Sequence, residues 1–135
     1  MSNKLKMKIY KPQNYNSLSP YLIVNDAQRR VDQLITIFNA KALRRFDHEN
    51  GKIMHCELQM DDSIIMISDS TDTYPAHKTM LHLYVPDVFD VFERAIANGC
   101  EIIERPINKQ NDPDMRGSFY DIAGNHWSVS TQTTK

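Results

Sequence analysis

Cysteine is scarce in this chain of 135 residues: Cys56 and Cys100 are its two, and they have no CxxC spacing. That excludes a disulfide-built scaffold and makes a reduced, cytoplasmic protein the expectation. Neither sign of charge dominates, since 16 Lys and Arg stand against 17 Asp and Glu for a net charge of -1. No basic field is on offer to nucleic acid, whose phosphates are held by clustered Lys and Arg. Four glycines and six prolines are too few for a collagen-like or low-complexity chain. Apolar runs such as Ile64–Ile67 fall far short of the roughly 20 residues that cross a bilayer, so no membrane contact is expected. The opening Met-Ser-Asn-Lys-Leu-Lys has no apolar signal-peptide core. A Gly-rich phosphate loop, a GxSxG elbow and HExxH are all missing, which removes the usual sequence marks of nucleotide binding, serine hydrolysis and zinc proteolysis.

What is present is a repeated pattern. Residues 1–16 form an extension in which Lys4, Lys6 and Lys8 alternate with Leu5, Met7 and Ile9, read either as an edge strand or as a tail. Tyr21–Val24 is strand-like, and Asn25 and Asp26 are good helix N-cap types. Val31, Leu34, Ile35 and Phe38 then lie at i, i+3, i+4 and i+7, one helical stripe over Asp26–Asn39. Ala42–Phe46, Ile53–Met60 and Ile64–Ser68 read as strands, with turns at Glu49–Gly51 and at Asp61 and Asp62. Ser70–Thr79 is a polar linker carrying Pro75.

The pattern then starts again. Leu81–Val85 is a strand, and Asp87 caps a helix over Asp87–Asn98 striped by Val88, Val91, Phe92, Ala95 and Ile96. Gly99 supplies the left-handed stop. Glu101–Glu104, Ser118–Tyr120 and Trp127–Ser130 are strands, and Pro106–Arg116 reads as a long loop. Leu22–Asp26 (Leu-Ile-Val-Asn-Asp) and Leu83–Asp87 (Leu-Tyr-Val-Pro-Asp) occupy the same place in each half. The fold class is α+β, with two tandem βαβββ modules at about 17–69 and 79–131 inside one domain spanning 17–135.

Strand side chains alternate between faces, so each strand divides into two sets. Met54, Cys56, Leu58 and Met60 form an apolar set, as do Leu81, Leu83 and Val85, Leu22 and Val24, and Trp127 and Val129. These should meet the helices. The opposite face carries His55, Glu57, His82, Tyr84 and His126, together with Met66 and Met80. A solvated sheet face alternates in the same way without any function. A merely wetted face favours Lys, Glu and Thr, however, whereas His, Tyr and Met suit a pocket with a few convergent polar groups. These seven residues are the candidate ligand-binding set, expected to share one cavity with Met66 and Met80 as its apolar floor. Cys56 reads as a buried thiol, and Arg29, Arg30, Arg44, Arg45 and Lys109 as solvated charges.

Pro20–Asp26, Ile53–Leu58, Leu81–Asp87 and Asp121–Ser128 together resemble the vicinal-oxygen-chelate superfamily of glyoxalases, bleomycin-resistance proteins and extradiol dioxygenases, most of all its small PhnB-like branch. Asp121–Ser128 resembles a family turn, Asp-Pro-x-Gly-x-x-Trp, with Ile122 in place of the proline. The resemblance implies sheets curled into a cup, usually completed in a homodimer. It also implies a divalent metal held by His, Glu or Gln on the first and last strand of each module. Here those positions fall on Ser19, Met66, Met80 and Ser128, whose hydroxyl and thioether groups are poor ligands for such an ion, so no metal cofactor is expected.

Three functions stay open. A metal-free homodimer binding a small molecule fits the mixed face. A lyase or dioxygenase with relocated ligands would draw on His55, Glu57, His82 and His126. A dimerisation module would leave no pocket at all.

Overall fold

Residues 9–133 are described by a computed structural model. The elements run β1 (Tyr21–Val24), α1 (Ala27–Phe38), β2 (Lys41–Asp47), β3 (Ile53–Met60) and β4 (Ser63–Asp69). After a linker come β5 (Met80–Tyr84), α2 (Val88–Ala97), β6 (Glu101–Ile107), β7 (Asp114–Tyr120) and β8 (His126–Gln132). One sheet has the order β1-β4-β3-β2 and the other β5-β8-β7-β6. In each, the strand before the helix pairs in parallel with the last strand of its module, Leu22 beside Ile67 and Leu81 beside Trp127. The fold is therefore α+β with the βαβββ unit used twice. The alternation of Lys4–Ile9 lies almost wholly outside the described residues, and residues 9–16 form bends and turns.

A helix as short as α1, 12 residues, is marginal in water by itself and is held by what its apolar stripe buries. Val31, Leu34 and Ile37 are buried, with Ile35 and Phe38 packed at the margin. Phe38 lies against Trp127 and Phe119 of the second module, at ring distances of 4.7 and 6.2 Å. One apolar cluster thus runs through both halves. Gln33 joins them as well. Its side chain donates to Asn98 O at 2.8 Å and accepts from Ile122 N at 3.0 Å.

The helix caps differ from one another. Asp87 caps α2 as expected, its carboxylate accepting from Phe89 N and Asp90 N. Asp26 sits in the left-handed region and makes no side-chain cap. Asp69 of β4 takes its place, accepting from Ala27 N at 2.9 Å and from Ile53 N at 2.7 Å. A tertiary neighbour has displaced the local cap.

Two further expectations are corrected. Pro106–Arg116 is not one long loop, because β6 extends to Ile107 and β7 begins at Asp114. The strict alternation of β3 also fails at its start. Between the pairs Phe46/His55 and Asp47/Ile53 the register shifts, leaving Met54 as an extra residue. This bulge turns Ile53 into the core, at 1% exposure, and Met54 out of it, at 48%.

Candidate functional site

The outer face of the first sheet, turned away from the helices, carries a buried carboxylate with three hydrogen-bond partners. Glu57 is 1% exposed. Its Oε2 meets His55 Nε2 at 2.8 Å, and its Oε1 accepts from Arg44 Nε at 3.2 Å and from the Tyr15 hydroxyl. His55 Nδ1 meets Tyr21 Oη at 2.9 Å. Burial by itself would raise the Glu57 pKa, but the hydrogen bonds from Tyr15, His55 and Arg44 outweigh it and hold the group at about 2. Arg44 is therefore not a free solvated charge. It pairs with Glu57, and its guanidinium lies 5.2 Å from the Tyr15 ring centre. Register places Met66 beside both Glu57 and Tyr21.

Beside this cluster opens a pocket of about 760 Å³. Tyr21, Ile23, Met54 and Tyr74 give it a mostly apolar wall, with Ser68 and Thr71 adding hydroxyls. Met54 reaches it because of the bulge in β3. Tyr74 comes from the linker, where no periodicity marks a role. Tyr15 and Arg44 are the other residues that pattern reading passes over, since a partner 42 or 13 residues away leaves no trace in local spacing.

On the outer face of the second sheet, the Tyr84 hydroxyl donates to Asp114 Oδ2 at 2.7 Å, and Arg116 pairs with the same oxygen at 3.1 Å. Asp114 is buried, while Tyr84 and Met80 stand exposed. The hydrogen bond to Asp114 raises the Tyr84 pKa, with burial adding to it. The His82 ring stands edge-on to Tyr84 at 4.7 Å, and its Nε2 lies 3.0 Å from Ser130 Oγ. Burial lowers the His82 pKa, and nearby Arg116 does so further. His126 meets the Tyr120 ring at 5.6 Å.

The seven candidate residues thus divide into two groups. His55, Glu57 and Met66 belong to the first sheet, and Met80, His82, Tyr84 and His126 to the second. His82 lines a cleft between the modules with Met60 and Ile65 of the first sheet, and none of the other six candidates lines it. The positions that the resemblance marks for a metal carry weak donors. Ser19, Met66, Met80 and Ser128 offer two hydroxyls and two thioethers, and this set does not suit a hard or borderline divalent ion. Among the described residues, no three His, Cys, Asp or Glu side chains gather as metal donors. Cys56 is buried, and burial raises its pKa. Burial pushes the Cys100 thiol up to about 12, so neither is a ready thiolate. No helix among the described residues is long and apolar enough to cross a membrane.

Comparison with known proteins agrees with this architecture. The uncharacterised protein Mb0911c of Mycobacterium bovis is 30% identical over 124 residues, covering 84% of this chain and 81% of that protein. Rv0887c of Mycobacterium tuberculosis has the same identity over 84% of this chain and 72% of its own length. Among solved structures, TioX from Micromonospora sp. ML1 superposes with a TM-score of 0.74 at 23% identity, covering 87% of this chain and 98% of TioX. The fosfomycin resistance protein FosX from Listeria monocytogenes, complexed with Mn(II) and sulfate, does so at 0.67 and 18% identity, covering 87% and 90%. These likenesses carry the fold. Residues 16–129 match the family described as the Glyoxalase/Bleomycin resistance protein/Dioxygenase superfamily, and the chain belongs to it.

Proposed function

We propose that the protein binds a small, largely apolar organic molecule without a metal ion, in a homodimer whose second copy covers the exposed outer faces. One observation carries the reading: the pocket of about 760 Å³ that Tyr21, Met54 and Tyr74 line beside a fixed Glu57–His55 pair. An apolar wall with a few oriented polar groups is the usual make-up of a small-molecule site. The donor chemistry at the family metal positions favours binding without the ion that the FosX neighbour holds. Exposed Phe46 and Tyr21 on one sheet, and Met80, Tyr84 and Tyr120 on the other, support covering by a second copy.

The test is ligand-observed NMR with a library of aromatic and heteroaromatic compounds, run on protein stripped of metal by chelation. Hits on the stripped protein that weaken or vanish in Met54→Trp, whose indole intrudes on the pocket wall, support the reading. Hits that need an added divalent ion, or bind Met54→Trp unchanged, overturn it.

A further inference from the structure

The first-sheet cluster has a direction, which follows from counting donors and acceptors. An ionised carboxylate only accepts hydrogen bonds, and Glu57 is held ionised down to about pH 2. His55 Nε2, at 2.8 Å from Glu57 Oε2, therefore carries the ring proton. In neutral imidazole the other nitrogen is then a bare acceptor. Nδ1 lies 2.9 Å from Tyr21 Oη, so the Tyr21 hydroxyl donates inward. His55 and Glu57 do not line the pocket, whereas Tyr21 does, at 40% exposure. The pocket wall thus includes a tyrosine whose hydroxyl hydrogen is already used and whose oxygen is left to accept. A ligand seated there must bring a donor.

We propose that Tyr21 is the proton-accepting group of this pocket and that its ligand is a weakly acidic hydroxyl compound, a phenol or enol, on a flat apolar body. The inference rests on the reading of the pocket as a ligand site. The ligand O–H proton passes to Tyr21 Oη as the Tyr21 proton passes to His55 Nδ1. The ligand is left as its conjugate base, hydrogen-bonded by Tyr21, and His55 becomes an imidazolium against the Glu57 carboxylate. Two protons move, so two O–H bonds break while one O–H and one N–H bond form, and no electron changes hands. Arg44 opposes the second charge on His55, but it binds the other carboxylate oxygen and is half exposed, where water screens it. Ile23, Met54 and Tyr74 supply faces for the apolar body, and Ser68, Thr71 and His48 supply further polar contacts. Asp69 also lines the pocket, with both its oxygens already accepting from Ala27 N and Ile53 N.

The experiment uses 4-nitrophenol, whose phenolate absorbs separately from the neutral form. At a pH well below the compound's own pKa, wild-type protein is expected to bind it and to hold about tenfold more of it as phenolate than free solution does. Tyr21→Phe keeps the ring and should still bind the compound, with the ionisation of free solution. His55→Gln keeps an acceptor for the Tyr21 hydroxyl but takes no proton, and it should lose the enrichment too. Thermal melting of both variants confirms that they fold. Binding with equal ionisation in wild type and Tyr21→Phe overturns the relay while leaving the pocket as a ligand site. Enrichment retained in His55→Gln overturns it as well. Absence of binding by wild type overturns the pocket reading and this inference together.

Discussion

Trp127 Nε1 donates to Asp121 Oδ2 at 2.8 Å, and this bond ties the last turn of the chain to the core shared by both modules. The other oxygen of Asp121 accepts from Ala123 N at 2.9 Å and from Asn125 N at 3.0 Å. Burial pushes the Asp121 pKa up, and these three donors pull it back. Asp121→Ala leaves all three without an acceptor. Each orphaned buried donor costs about 1–3 kcal/mol, so the variant should lose more than about 3 kcal/mol in urea unfolding. A loss below about 1 kcal/mol would show that water replaces the carboxylate.

Sequence spacing was a sound guide wherever a residue answers to its own element. Trp127 and Val129 fall on the core side of β8 by parity, and both are buried. The helical stripes hold, and Gly99 ends α2 at a φ of 88°. The misses are positions decided by a distant neighbour. Met54 leaves the core because β2 sets a bulge opposite it. Asp26 yields its capping role to Asp69, and Gln33 is buried because it bridges to Asn98 and Ile122. The site shows the same division. The His55–Glu57 pair is two residues apart on one strand face and was legible. Tyr15, Arg44 and Tyr74 are brought in by tertiary folding, and so were not.

Gly117 in β7 is a second position where packing admits one residue. A Cβ there would lie 3.0 Å from the Phe92 ring, 3.1 Å from Glu104 O and 3.1 Å from Pro106 N. Two of those three are backbone atoms and cannot swing aside. Gly117→Ala should cost about 1–3 kcal/mol, read as a lower urea midpoint with the denaturant slope unchanged. An unchanged midpoint would mean that β6 shifts freely.

Acid should weaken the fold through Glu57. Its pKa falls from an ordinary 4.5 to about 2 on folding. The stabilisation is therefore complete above 4.5 and is lost as pH falls towards 2. Screening around half-exposed Arg44 leaves a contribution on the order of 2 kcal/mol. Glu57→Gln should be less stable than wild type at neutral pH, and its stability should vary less between pH 4.5 and 2. Parallel acid-unfolding curves for the two proteins would contradict the assignment.

Met80 tests whether a second copy covers the outer face. It is 63% exposed and opens β5, the edge strand of the second sheet beside β8. In a lone chain, Met80→Arg places a charge in water and should change folding stability by less than about 0.5 kcal/mol. Against a second copy, the same charge must be stripped of water, and left unpaired that costs several kcal/mol. The substitution should therefore turn a wild-type dimer into a monomer in sedimentation velocity at micromolar concentration, while circular dichroism melts at matched monomer state stay close. Because a dimer also gains apparent stability by mass action, the variant's melting point should lose the concentration dependence that wild type shows. A wild-type monomer, or a dimer indifferent to arginine at this position, would place the contact between copies elsewhere or remove it.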